Sequence, residues 1–256
     1  MTYTKYQLGL IGYPLSHSFS KKYFSKKFSK EKVVDYHYEL FPLEKIDDLP
    51  ALITEYPNLL GLNVTIPYKQ QVLKFLDEID EAASNVGAVN TIKIQNGKLK
   101  GYNSDIYGFE VSLLQLLKPY SYPLSELKAL VLGTGGAAKA VVYVLTKLGI
   151  DYQLVSRRAT TKNITYSEVD SNCLAEHLLI INTTPLGMSP NIETAPELPY
   201  ENLSAQHFLY DLVYNPEVTA FMHKGLKKGA SVLNGLEMLY LQAEKSWSFW
   251  TEEHPL

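Results

Sequence analysis

Short apolar or β-branched runs alternate with longer stretches of helical period from the start of the chain, the sequence form of successive β-α-β units. In the first half, Leu8 to Gly12, Asp35 to Phe41 and Leu60 to Thr65 predict strands, with helices after Ser18 and near Ile46 to Tyr56. A further helix is expected from Pro67, because a first helical turn tolerates proline's missing N–H. Ala88 to Tyr102 reads differently: two alternating arms flank Asn96-Gly97, a strong hairpin signal, so an antiparallel edge is expected there. A helix from about Asp105 to Leu117 leads into the surface connection KPYSYPLSEL.

The second half opens with KALVLGTGGAAKAVVYVLTKLG, an apolar strand, a glycine-rich turn and a helix. Further strands are predicted at Tyr152 to Ser156, Leu178 to Thr183, Phe208 to Val213 and Ser231 to Leu233. Leu236 to Trp250 has apolar residues at helical spacing and is expected to return to the first domain. The pattern predicts an α/β fold with a largely parallel sheet. Its expected organisation is an N-terminal α/β domain over residues 1–104, with 236–256 packing back on it, and a Rossmann-like domain over 105–235.

Length and charge narrow the function. The chain has 256 residues, room for two modest domains. Its formal net charge is −3 and its Lys and Arg are scattered, which favours small molecules over nucleic acid or a membrane surface as partners. Cys173 is the only cysteine, so no intramolecular disulfide forms, and its surroundings are not those of a nucleophile. The first residues, MTYTKYQLGLIGYPLS, resemble neither a signal peptide nor a transit peptide, so the cytoplasm is expected. The six histidines lack ligand spacing, and no metal site is expected.

Gly133-Thr-Gly135-Gly136-Ala137-Ala138 has the form G-x-G-x-x-A between a strand and a helix. In a dinucleotide-binding turn, the first glycine permits the tight turn and the second lets backbone approach a pyrophosphate at the helix N-terminus. The plainer reading is a glycine-rich connection without a ligand; strand, motif and helix in order favour the nucleotide. An NAD enzyme places an acid at the end of the next strand, where this chain reads Ser156-Arg157-Arg158. Guanidiniums there suit a 2′-phosphate, so NADP is favoured over a reading of solvated loop arginines.

Further segments, individually weak, occur in a telling order. They are Gly12-Tyr-Pro-Leu-Ser16-His-Ser18, Gly61-Leu-Asn-Val-Thr65-Ile-Pro67-Tyr-Lys69, Gly87-Ala-Val-Asn90-Thr91 and Gly101-Tyr-Asn103-Ser-Asp105-Ile-Tyr-Gly108. After the glycine-rich turn come Asn182-Thr-Thr-Pro-Leu-Gly187-Met188, Asp211-Leu-Val-Tyr214-Asn-Pro216, and Gly235-Leu-Glu-Met-Leu with Gln242. Along nearly its whole length the chain resembles the shikimate dehydrogenase family. The resemblance implies a substrate domain beside an NADP domain, reversible NADPH-dependent reduction of 3-dehydroshikimate to shikimate, and a monomer or homodimer.

Carried over position by position, the resemblance makes Ser16, Ser18 and Tyr214 donors to the substrate carboxylate, and Thr65, Asn90, Asp105 and Gln242 readers of the ring hydroxyls. Lys69 and Asp105 become the catalytic pair, and the positive end of the helix expected from Pro67 would act on Lys69. Gly133, Gly135, Gly136, Ala137, Ala138, Ser156, Arg157, Arg158, Thr183, Met188 and Gly235 are the implied cofactor contacts. Plainer readings are a solvated Lys69, Asp105 as a helix N-cap, Ser16 and Ser18 as caps, and Tyr214 as an interface aromatic. His17 lies between the two serines, where alternation turns it away from them.

The chain departs from the family wording at Phe19-Ser20-Lys21 after Ser18, at Ser104 where threonine is commoner, at Ser156-Arg157-Arg158 for Asn-Arg-Thr, and at Asn234 for aspartate. Two alternatives stand beside the main reading. One is a quinate/shikimate dehydrogenase using NAD(P), the other a non-catalytic sensor of shikimate or NADP.

Overall fold

The apolar runs of the first half become strands of one mixed sheet. In the computed structural model, which describes residues 5–15, 18–121 and 123–252, β1 (Tyr6–Gly12), β2 (Tyr36–Pro42) and β3 (Leu59–Val64) run parallel. The crossovers are α1 (Phe19–Glu31) and a 3-10 turn leading into α2 (Leu49–Glu55). A two-residue strand β4 (Glu78–Ile79) and a short α3 (Glu81–Val86) precede β5 (Thr91–Gln95) and β6 (Lys98–Tyr102). Asn96 and Gly97 both take positive φ, 53° and 75°, as a tight hairpin between right-twisted strands demands. The sheet order is β2-β1-β3-β5-β6-β4. The hairpin is antiparallel as expected, but β4 pairs beside β6, so β4 and not the hairpin forms the edge.

No α-helix starts at Pro67. The chain there makes turns and a 3-10 helix over Gln71–Phe75, and the Ile66–Pro67 peptide is cis. The Lys69 carbonyl, which a helix would give to the residue four positions on, instead accepts the Val89 N–H at 2.8 Å. A tertiary bond has overridden local propensity, and Lys69 sits in a turn just before a short 3-10 helix, not in the first turn of an α-helix.

The second half forms a parallel sheet. After α4 (Ser104–Leu116), β7 (Lys128–Leu132), α5 (Gly136–Lys147), β8 (Asp151–Ser156) and β9 (Asn163–Thr165) follow in turn. Then come α6 (Ser171–Glu176), β10 (Leu179–Asn182), β11 (Phe208–Asp211), α7 (Ala220–Leu226) and β12 (Ser231–Asn234), and α8 (Leu236–Thr251) closes the described chain. Among the described residues all five strand pairings of this sheet are parallel, in the order β12-β11-β10-β7-β8-β9. Counted from β7, this is the 3-2-1-4-5-6 order of a Rossmann sheet, and its order reverses between β7 and β10. Beyond the carboxyl ends of the strands at such a point, open α/β sheets bind ligands.

The chain divides into two compact units, one running through Ser104 and resuming at Gln242, the other spanning Asp105–Leu241. The first unit has a core on each face of its sheet. One face gathers Ile11, Leu49, Leu62, Val64, Tyr68 and Val72. The other gathers Leu8, Phe24, Tyr38 and Leu60 with Ala243, Trp247 and Trp250 from α8. Gly61 is required there: a Cβ would run into the Trp250 ring, whose Nε1–H donates across β3 to the Ile92 carbonyl at 2.9 Å. One buried cluster of the second unit includes Leu130, Leu132, Val155, Ile180, Leu209 and Phe221.

Candidate active site

Three residues expected to meet the substrate are drawn to one corner of the first unit by backbone bonds. Just past β3 the Thr65 N–H donates to the Ile11 carbonyl at 2.9 Å, so β1 and β3 end together. The chain turns back as the Tyr68 N–H donates to the Thr65 carbonyl at 2.9 Å, and the buried Tyr68 ring sends its hydroxyl to the Leu43 carbonyl at 2.6 Å. Lys69 follows, tied to Val89, while the Asn90 carbonyl accepts the Val64 N–H at 2.8 Å. Thr65, Lys69 and Asn90 are thus fixed relative to one another by main-chain bonds. Thr65 and Lys69 are half-buried, and Asn90 is buried.

Ser18 caps α1, its Oγ accepting the Lys21 N–H at 3.4 Å. A cap uses an acceptor lone pair of the hydroxyl, which leaves its O–H to donate to an anion. Capping and carboxylate binding are therefore compatible at this residue. Ser16 and His17 lie outside the described residues.

Asn90 and Gln242 share a buried cluster of hydroxyls. Asn90 Oδ1 accepts the Ser104 N–H at 2.7 Å and the Thr91 hydroxyl at 3.1 Å, and its Nδ2 donates to Ser104 Oγ at 3.0 Å. Ser104 Oγ lies 3.4 Å from Gln242 Oε1, as donor, and 3.0 Å from Ser246 Oγ. Ser246 also meets Thr91 Oγ1 at 2.8 Å and Asn63 Nδ2 at 3.0 Å, and Asn63 Oδ1 accepts the Tyr38 hydroxyl at 2.8 Å. None of Asn63, Thr91, Ser104 and Ser246 was expected as a site residue from the sequence. The available signals were an asparagine inside the buried strand LLGLNV and a serine one turn beyond Gln242. Asp105, half-buried, follows the pinned Ser104. The helix has already begun at Ser104, so Asp105 stands in its first turn and is not its N-cap.

In the second unit the glycine-rich turn has the shape a nucleotide needs. Gly133 takes φ 105°, and a Cβ there would stand 2.8 Å from Thr183 Oγ1 and 3.1 Å from Thr184 Cγ2. Its N–H donates to the Val155 carbonyl at 2.8 Å, tying the start of the turn to β8. Gly135 occupies the N-cap of α5 without a side chain, and Cβ atoms at Gly135 or Gly136 would meet nothing within 4 Å. No side chain caps the first turn of α5, and that turn carries no acidic residue. Ala137 is exposed, and Ala138 is buried. These residues fit a pyrophosphate.

After β8 the chain makes a clasped loop. The Ser156 hydroxyl donates to the Arg158 carbonyl at 2.9 Å, and Asn163 Nδ2 donates to Ser156 Oγ at 3.1 Å and to the Arg158 carbonyl at 2.7 Å. Ser156 spends its proton inside the loop, and Asn163, not anticipated from sequence, holds the loop closed. Arg157 and Arg158 are both exposed on it. Burial raises the Tyr166 hydroxyl above its ordinary pKa, and the nearby Arg157 guanidinium opposes that rise.

Thr183 lies at the point of order reversal, its hydroxyl donating to the Leu132 carbonyl at 2.7 Å. Met188 is 48% and Tyr214 41% exposed on loops that follow β10 and β11. Gly235 is buried, and a Cβ on it would collide with the Leu212 carbonyl, so the loop after β11 passes directly over its backbone. At the ends of these strands the wholly buried Asp211 accepts from the Thr219 hydroxyl at 2.6 Å, Asn182 Nδ2 at 2.9 Å and the Val213 N–H at 3.0 Å. Burial pushes its carboxyl up to about 6, and the three donors partly oppose the rise. Among the described residues, no cluster of three or more His, Cys, Asp or Glu could hold a metal ion, and no helix is long and apolar enough to cross a membrane.

Comparison with known proteins gives this arrangement a family. Residues 10–92 match the shikimate dehydrogenase substrate binding domain. A shikimate dehydrogenase (NADP(+)) of Desulforamulus reducens is 35% identical over 264 residues, covering 95% of this chain and 89% of its own. The crystal structure of shikimate 5-dehydrogenase from Thermus thermophilus, in complex with NADP(H) and shikimate, is similar with a TM-score of 0.81 at 30% identity over 96% of this chain and 94% of its own. Quinate dehydrogenase from Corynebacterium glutamicum, in complex with NAD, reaches a TM-score of 0.85 at 25% identity over 97% and 94%. From a substrate-domain match and full-length identity of this extent, the chain belongs to the shikimate dehydrogenase family.

Proposed function

We propose that the chain catalyses the reversible NADPH-dependent reduction of 3-dehydroshikimate to shikimate, the first unit holding substrate and the second holding NADP. The observation that carries the reading is the corner in which main-chain bonds gather Thr65, Lys69 and Asn90. A polyol ring needs donors and acceptors at fixed spacing, and a ketone under reduction needs a proton for its oxygen. The corner supplies a hydroxyl, an amide and an ammonium. Asp105 and Gln242 complete the reading of the ring hydroxyls, with Asp105 also orienting the reacting one. Ser16, Ser18 and Tyr214 hold the carboxylate by neutral hydrogen bonds.

Gly133, Gly135, Gly136, Ala137 and Ala138 would hold the pyrophosphate against the first turn of α5, and Arg157 and Arg158 the 2′-phosphate. Thr183, Met188 and Gly235 serve the nicotinamide end. The bound cofactor supplies the hydride. Lys69 delivers a proton to the C3 oxygen in the reducing direction and removes it in reverse.

The likeness to a quinate dehydrogenase favours a second reading, in which quinate and NAD are also used. Arg157 and Arg158 argue for the phosphorylated cofactor. The test is spectrophotometric: NADPH oxidation with 3-dehydroshikimate, repeated with NADH, and the reverse reaction with shikimate and with quinate. Turnover is expected with NADPH and 3-dehydroshikimate. Faster turnover of quinate with NAD would establish the second reading, and binding of both ligands without turnover would make the chain a sensor.

A further inference from the structure

We propose that Asp211 is a positioning residue that sets Tyr214, acting through the loops that follow β10 and β11. This rests on the reading of Tyr214 as a carboxylate donor. Asp211 ends β11 with no exposed surface, and all three of its partners are donors. One partner is the Val213 N–H, adjacent to Tyr214 in the chain. A second, Asn182, ends the neighbouring strand, and its Oδ1 accepts the Thr184 N–H at 3.0 Å and the Thr184 hydroxyl at 2.6 Å. The third, Thr219, caps α7, its Oγ accepting the Met222 N–H at 3.3 Å.

One carboxylate therefore fixes the start of the loop bearing Tyr214, the start of the loop bearing Thr183 and Met188, and the helix onto which the Tyr214 loop leads. Main-chain bonds finish the hold: the Gly235 N–H donates to the Val213 carbonyl at 3.2 Å, and the Ser189 N–H to the Asn215 carbonyl at 3.3 Å. Tyr214 itself remains outward, as a ligand-binding side chain must. A carboxylate serves this role better than an amide, because it accepts from three donors without presenting a donor of its own.

The test compares Asp211→Asn and Asp211→Ala, each alone and with Tyr214→Phe, in steady-state assays with shikimate and NADP. Asn exchanges one acceptor oxygen for a donor, so KM for shikimate should rise about threefold, and Ala, which removes the whole anchor, should raise it about tenfold, with kcat changing much less. Tyr214→Phe should cost a smaller factor in either background than in the wild-type chain, because residues that act together are not additive. Should the alanine chain fail to fold, the asparagine pair decides the matter. The same Tyr214→Phe factor in both wild-type and Asp211→Asn backgrounds, or kcat falling in step with the rise in KM, overturns the positioning role. Absence of shikimate turnover in the wild-type chain overturns instead the functional reading on which the proposal stands.

Discussion

Lys69 is held by its backbone and not by a helix, which sharpens what its replacement should do. Because the Val89 N–H fixes the Lys69 carbonyl and Tyr68 anchors the preceding residue, Lys69→Ala keeps the backbone bonds of the turn and removes the side chain beyond Cβ, ammonium included. A fall in kcat of roughly 10² to 10⁴ with a much smaller change in KM is expected, the range for a positioned acid–base group. A rise in KM at unchanged kcat would assign Lys69 to binding and leave the proton donor to be found. Asp211 makes a second residue-level prediction, on stability. Its folded pKa, about 6, lies above the unfolded value of about 4, so the native state binds its proton more tightly. The associated stability is fully present below about pH 4 and is lost as pH rises through 6, by about 3 kcal/mol in all. Asp211→Asn removes this titration, so denaturant midpoints of the variant should gain on the wild type between pH 4 and 7. Parallel curves would show that the carboxyl does not titrate there.

Elements were legible in the sequence where local pattern and tertiary context agree. β1, β3, β7, β10 and β11 are buried strands in largely parallel surroundings and read as apolar runs. The nucleotide turn was legible because Gly133, Gly135 and Ala138 are local to one strand-turn-helix. β4, β9, α6 and α7 have two to seven residues each, too few for a period to emerge, and they exist through tertiary contacts. The hydroxyl cluster joins positions 38, 63, 91, 104 and 246, and no window of sequence contains it. Packing of α8 on the first sheet gives a test at this scale. Gly61→Ala places a methyl against the Trp250 ring and threatens its bond to Ile92, so it should destabilise the first unit by about 1 to 3 kcal/mol, as overpacking does. Equal melting of variant and wild type would mean that α8 can shift at no cost. On the second sheet, replacing Arg157 and Arg158 by Ala should weaken NADP by about 1.5 to 3 kcal/mol per lost pair and leave NAD nearly unchanged. Equal losses for both cofactors would remove the phosphate assignment.

At the scale of the whole molecule, two units, each with its own sheet and core, are joined by a chain that passes between them after Ser104 and after Leu241. A ligand stabilises the structure that binds it by RT ln(1 + [L]/Kd), about 2.7 kcal/mol at a hundredfold excess over Kd, and leaves structure it does not engage untouched. Slowly exchanging amides report that energy locally, because they open through unfolding of the unit that contains them. NADP at that excess should therefore slow exchange about a hundredfold in the strands of the second sheet, β7, β8 and β10 above all, and in the Gly133–Ala138 turn. Amides of β1, β2 and β3 should respond far less to NADP. Shikimate should reverse the emphasis, protecting the Thr65 to Lys69 turn and the strands that end there, with Asp105 and Tyr214 the expected exceptions in the second unit. If NADP protected β1 to β3 as strongly as β7 to β10, the assignment of cofactor to one unit and substrate to the other would be wrong, whatever the assay of turnover returned.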